Sequence, residues 1–175
     1  YCRIASERHT ARFARLLGGQ TIHTGGQLDV AKRYVAPTLV LGPAPDSELM
    51  QEEIFGPVLP VITVDAMHHA IKFVADRPKP LALYLFTKSK ALEDAVLDKL
   101  SAGSVCINDA VIFMVSPELP FGGIGNSGMG RYTGWYGFET FSHMKPVMKR
   151  GFRFDAPMRY PPYNDFKRRI MELVR

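Results

Sequence analysis

The sequence predicts an α/β fold, and three observations carry that expectation. Apolar and β-branched runs of strand length recur at 58–64, 81–87 and 104–108. Segments with helical apolar spacing lie between them, the alternation that feeds strands through crossover helices in a doubly wound sheet. The composition, 46% hydrophobic and 22% charged over 175 residues, is ordinary for a globular chain and sufficient for a core. Only three or four strands are visible, few for a self-sufficient sheet.

Each element has a local reason. Residues 5–17 place Phe13, Leu16 and Leu17 near helical spacing, and Gly18-Gly19 supplies a stop. The stretch QTIHT reads as a short strand ahead of a Gly25-Gly26 turn. RYVAPTLVLG is a strand interrupted at Pro37, which has no N–H for a ladder. DSELMQEE is an acidic turn leading into the β-branched run Val58 to Val64. Ala66, Ala70, Ile71 and Val74 share one face of a helix that Pro78 closes. LALYLFT is a continuous apolar run of buried-strand type. KALEDAVLDKL sets Leu92, Val96 and Leu100 on one helical side, and GSVCIND is a further strand, Ser104 to Asn108. After Asp109 the alternation gives way to a loop, a glycine-rich segment and a basic stretch.

Charge and cysteine usage exclude several classes. Residues 145–175 carry a net +6 and residues 1–144 a net −1, so the basicity belongs to the tail and nucleic-acid binding by the fold is disfavoured. Cys2 and Cys106 are too few and too far apart for a disulfide framework, which fits a reducing, intracellular compartment. The five histidines lack metal-ligand spacing, and no metal site is expected. No apolar run approaches the roughly 20 residues that span a bilayer. The opening YCRIASERHTARFARLL lacks the apolar region of a secretory signal and reads as a helix entered without preamble, as in a fragment or a processed product.

Gly123 to Gly128 satisfies G-x-G-x-x-G, the pattern of a dinucleotide-binding turn. That reading fails on context. The lead-in SPELP contains Pro117 and Pro120 where a central strand is required, and Glu139 is too close to serve as the second-strand carboxylate. Gly130, Gly134 and Gly137 instead recur along one helical face, expected to pack against a close neighbour with Phe138 and Phe141 as apolar contacts. A flexible glycine loop is the alternative.

Taken together, MQEEIFGPVLPVITV, KPLALYLF, LPFGGIGNSGMGRYTGWYGFETFSHMKPV and RYPP, in that order, resemble the class 3 and fatty-aldehyde branch of the aldehyde dehydrogenases. The resemblance runs from about residue 1 to 162 and covers the C-terminal part of such an enzyme. It implies that residues 1–110 belong to the catalytic α/β domain. Residues 111–140 would be the substrate-pocket loop and glycine-rich helix, 141–162 an oligomerisation strand segment, and 163–175 a basic amphipathic tail.

It also implies the chemistry: oxidation of a small-molecule aldehyde to a carboxylic acid with NAD or NADP, through attack by a cysteine thiolate and deacylation by a glutamate-activated water. Neither Cys2 nor Cys106 matches the nucleophile's motif, so the nucleophile, the general base and most of the dinucleotide domain are expected in an N-terminal part. In EEIFGP, Glu53 matches the carboxylate that binds the nicotinamide ribose hydroxyls, and Phe55 the aromatic beside that end of the cofactor. On residues alone Glu53 reads as a solvated acidic turn, and the motif around it reverses that reading.

Phe121 matches a residue of the aldehyde-pocket wall. Ile112, Phe113 and Met114 fall in the variable loop and form an apolar entrance for medium, long or aromatic aldehydes, or else ordinary core. His143 lies where the branch has a pocket-proximal histidine, and Asn108 ends a strand facing the same region. FETFSHMKPVMKR matches the segment that joins a partner's sheet, implying a homodimer. In the tail, Asn164 or Asp165 is the N-cap of a helix with Phe166, Ile170 and Leu173 on one face. That helix would touch an anionic membrane surface weakly or pack on its own subunit. A cytoplasmic, membrane-peripheral or organellar location stays open. So does a second reading of the whole, a dehydrogenase-derived segment serving as a non-catalytic interaction subunit of a larger assembly.

Overall fold

A computed structural model describes residues 1–153 and 155–173. The chain enters α1 (Glu7–Leu17) through Ser6, whose hydroxyl accepts from the His9 amide at 3.2 Å. Helix α1 presents Phe13, Leu16 and Leu17 to the principal core, which they share with Val35, Val40, Leu49 and Val58. Strands β2 (Leu28–Asp29) and β3 (Tyr34–Val35) form an antiparallel hairpin. Strand β1 (Ile22–Thr24) runs antiparallel to β4 (Thr38–Leu41), which pairs in parallel with β5 (Val58–Val61). The expected break at Pro37 thus separates β3 from β4.

Beyond β5, α3 (Met67–Ala75) leads to β6 (Ala82–Leu85), and α4 (Lys90–Lys99) crosses over to β7 (Ser104–Ile107), parallel to β6. Ser89 caps α4 by accepting from the Leu92 amide, and Val96 is its buried contact. The strand–helix alternation is therefore as the sequence indicates, but not the single sheet. Hydrogen bonding makes three small sheets, β1-β4-β5, β2-β3 and β6-β7, with no ladder from β5 to β6. Helix α3 contributes no fully buried residue, and the apolar face expected there, Ala66, Ala70, Ile71 and Val74, is half-buried. The run Val58 to Val64 yields a strand only to Val61. The acidic turn contains a short helix, α2 (Glu48–Gln51), that pins Leu49 into the core.

The glycine-rich segment differs from the expectation. Helix α5 spans Gly134–Thr140, so Gly130 lies outside it and the three glycines share no helical face. Nothing crowds Gly130, and only Tyr132 comes within ordinary contact of Gly137. Phe138 and Phe141 are exposed rather than packed. Of the three, Gly134 alone meets a close neighbour: it adopts φ +51 with the Pro117 carbonyl where a β-carbon would stand. The false fingerprint is a 3-10 turn, Gly125–Ser127, preceded by a lone bridge from Phe121 to Tyr132 instead of a strand.

Residues 141–153 form no strand within the chain, and Met144, Val147 and Met148 are exposed. Helix α6 (Asp165–Leu173) is capped by Asn164, whose side-chain oxygen accepts from the Lys167 amide at 3.0 Å. Phe154, Val174 and the basic Arg175 of the tail lie outside the described residues.

Candidate functional site

Two anchors on α1 shape the turn that carries Glu53 and Phe55. The first is Arg12, whose side chain is 23% exposed. Its Nη1 donates to the Glu52 carboxylate at 2.9 Å and to the Glu53 carbonyl at 3.1 Å. Its Nη2 donates to the Glu53 carbonyl at 3.1 Å and to the Ile54 carbonyl. One turn along, Arg15 pairs with Glu48 and, at 2.8 Å, with Glu52. Arg15, and after it Arg12, hold the Glu52 carboxyl below its ordinary 4.5. The second anchor is Phe13, buried, with its ring against Gly56.

Between these anchors Phe55 takes φ +45, a left-handed conformation costly for an aromatic residue and kept only where neighbours over-determine it. Its ring is 82% exposed. The Glu53 carboxylate is exposed and accepts no hydrogen bond among the described residues. A cavity of about 320 Å³ opens here, lined among others by Arg3, His9, Arg12, Phe13 and Phe55. The lining joins the Phe55 aromatic face to the guanidiniums of Arg3 and Arg12, a surface suited to a planar ring and an anionic group, while Glu53 lies outside that lining. Sequence reasoning singled out Glu53 and Phe55, and it did not single out Arg12 and His9, which line the cavity beside Phe55. The signal available was one basic and one imidazole side chain, three apart, on a helix with an apolar stripe.

The second group gathers at the end of β7. Asn108, at φ +59, turns its side-chain oxygen back to accept from the Thr87 amide at 2.7 Å, joining the ends of β6 and β7. Past it, the 3-10 turn Ile112–Val115 divides the expected entrance. Phe113 is buried, and its ring lies 6.1 Å from both Tyr84 and Phe121. Phe121 in turn meets Tyr132 edge-on at 5.5 Å. Ile112 and Met114 point outward, 53% and 47% exposed. The structure thus brings Phe113 and Phe121 together and leaves Ile112 and Met114 as free apolar surface. His143 is exposed in the segment after α5, with no partner among the described residues. Cys2 is exposed and Cys106 half-buried in β7. No helix among the described residues is long and apolar enough to cross a membrane.

Known proteins give this geometry a context. A family model described as "Aldehyde dehydrogenase family" matches residues 5–147. The chain is 45% identical to aldehyde dehydrogenase family 3 member F1 of Arabidopsis thaliana over 98% of its own length and 36% of that protein's. It is 46% identical to aldehyde dehydrogenase family 3 member A2 of Mus musculus, over 95% and 35%. It spans about a third of the length of these relatives. Among solved structures, a substrate-bound state of Staphylococcus aureus AldH superposes with TM-score 0.87 at 41% identity, covering 100% of this chain and 39% of that one. A P. syringae indole-3-acetaldehyde dehydrogenase in complex with NAD+ gives 0.71 at 29%, covering 82% and 30%. A Streptococcus pyogenes succinic semialdehyde dehydrogenase in complex with NADP+ gives 0.69 at 31%, covering 79% and 31%.

Proposed function

The chain belongs to the aldehyde dehydrogenase family, and from that premise we propose that the complete protein oxidises aldehydes to carboxylic acids with a nicotinamide cofactor. In this reading the segment supplies the nicotinamide-ribose contact and part of the aldehyde-pocket wall. The observation that carries it is the turn at 53–55, where the exposed Glu53 carboxylate has no hydrogen-bond partner among the described residues and the exposed Phe55 is held at a left-handed φ.

Glu53 accepts from the two ribose hydroxyls, and Phe55 sets the orientation of the nicotinamide ring against its face. Bound there, the nicotinamide is the hydride acceptor. Phe121 backs the aldehyde pocket, with Phe113 wedged behind it, while Ile112 and Met114 form the apolar approach favouring medium, long or aromatic aldehydes. Asn108 and His143 are assigned to the same approach by resemblance to the class 3 branch. The cysteine nucleophile and the general base come from the N-terminal part of the enzyme, whose elements cover the exposed apolar faces left by the separated sheets. The segment 141–162 pairs with a second subunit. The basic tail helix packs on its own subunit or rests lightly on an anionic membrane from the cytoplasmic side.

A segment serving only as an interaction module has no need of an unpartnered carboxylate at a strained turn, which favours the catalytic reading. The test is turnover by the purified complete protein, with straight-chain and aromatic aldehydes and with NAD and NADP offered separately. Acid formation with stoichiometric cofactor reduction is expected. No reduction of either cofactor with any aldehyde tested would contradict it.

A further inference from the structure

We propose that Arg12 is a positioning residue of the cofactor site, fixing the backbone of residues 53–55 so that the Glu53 carboxylate and the Phe55 ring are preset toward the nicotinamide ribose. The proposal rests on the cofactor reading given above. Three of the four hydrogen bonds made by the guanidinium go to main-chain carbonyls, two at Glu53 and one at Ile54. An ordinary surface ion pair would use the carboxylate alone and contribute little. Here the carboxylate partner, Glu52, is already engaged by Arg15, leaving Arg12 to grip the chain.

The grip comes from a rigid element. Helix α1 is seated in the core by Phe13 and Leu16, each 1% exposed, and Phe13 presses on Gly56 immediately beyond the turn. Carbonyls held at 53 and 54, and a backbone held at 56, leave Phe55 little choice but its left-handed conformation. Arg12 makes no hydrogen bond to the Glu53 carboxylate among the described residues; its bonds at 53 and 54 go to main-chain carbonyls, so the effect passes through the backbone. The planar fork of an arginine suits two successive carbonyls; a lysine ammonium does not reproduce it.

The experiment uses the complete enzyme with five variants: Arg12→Gln, Arg12→Lys, Glu53→Gln, the double Glu53→Gln/Phe55→Ala and the triple Arg12→Gln/Glu53→Gln/Phe55→Ala. Three quantities are read: the cofactor dissociation constant by calorimetry, hydrogen exchange of the peptide covering 52–57 in the cofactor-free enzyme, and kcat/KM for cofactor. Displacement of a reacting group by about 1 Å costs on the order of a hundredfold. Arg12→Gln is therefore expected to weaken cofactor binding and lower kcat/KM by roughly tenfold to a hundredfold, with faster exchange at 52–57 and an unchanged KM for aldehyde. Arg12→Lys, which keeps the charge opposite Glu52 and with it the fold, is expected to recover only a minor part. In the Glu53→Gln/Phe55→Ala background most of the Arg12 effect should vanish, because the groups it positions are gone.

Arg12→Gln with unaltered exchange and affinity, full recovery by lysine, or an equal loss in both backgrounds would overturn the positioning role. Failure of the cofactor reading is separately visible: Glu53→Gln would then leave affinity and turnover untouched, whatever Arg12 does.

Discussion

The ring of Phe13 occupies the space into which a side chain at position 56 would project. A β-carbon there would lie 2.7 Å from Cε1 and closer still to Cζ. Phe13 is 1% exposed and belongs to the principal core, so it cannot swing away without opening that core. Gly56→Ala is therefore expected to destabilise the complete protein by about 1–3 kcal/mol, the usual cost of overpacking. Gly151→Ala, at a position with open space around it, serves as the control and should be silent. Denaturant midpoints of the two variants make the comparison.

A second pair of glycines should respond with opposite signs. Gly134 has φ +51 and the Pro117 carbonyl in the way, so Gly134→Ala is expected to lower the melting temperature. Gly137 lies inside α5, with only Tyr132 at 3.8 Å, an ordinary contact. Gly137→Ala should stabilise by about 0.4–1 kcal/mol through the restricted unfolded chain. Thermal melts of both variants check the revised account of the glycine-rich segment.

The Arg15–Glu52–Arg12 cluster sets a pH dependence. The folded pKa of Glu52 is depressed below 4.5, first by Arg15 and then by Arg12. A depressed carboxylate contributes stability that is fully present above its unfolded value and lost as pH falls through the folded one. Melting temperature should thus decline below about pH 4.5 more steeply in the parent than in Glu52→Gln, with the two curves parallel at neutral pH. The exposed setting keeps the difference small.

The loop at 112–115 divides into a structural and a surface role. Phe113→Ala removes a buried ring stacked near Phe121 and should cost about 3–5 kcal/mol. Ile112→Ala and Met114→Ala alter only exposed apolar surface. These two should leave the melting temperature unchanged while shifting kcat/KM between short and long aldehydes by a few-fold, about 0.8 kcal/mol per buried methylene. Substrate series on each variant decide the matter.

How far the sequence spoke for the structure depended on the range of the forces involved. Helix α1 was legible because its stop at Gly18 and its stripe of Phe13, Leu16 and Leu17 are local. Pro37 marked the break between β3 and β4 for the same reason. The separation of β5 from β6 was not, since strand pairing is settled by contacts distant in the chain and identical apolar runs suit either neighbour. The glycine spacing suggested a helical face, but backbone geometry at Gly134 and a turn at Gly125–Ser127 override periodicity. At the turn 53–55, Glu53 and Phe55 were singled out through motif resemblance alone. Arg12 was hidden because it lies about 40 residues earlier (separation 41 from Glu53) and meets the turn only through backbone carbonyls.

The most direct test of the account is single-turnover cofactor reduction by Glu53→Gln in the complete enzyme, run with protiated and with deuterated aldehyde. Glutamine keeps the shape at position 53 and removes the charge proposed to hold the ribose hydroxyls. The account expects hydride transfer to slow by roughly tenfold or more, with a primary isotope effect and little change in the aldehyde KM. Parent-like rates together with parent-like cofactor affinity would contradict the assignment of Glu53, and with it the cofactor site on this segment.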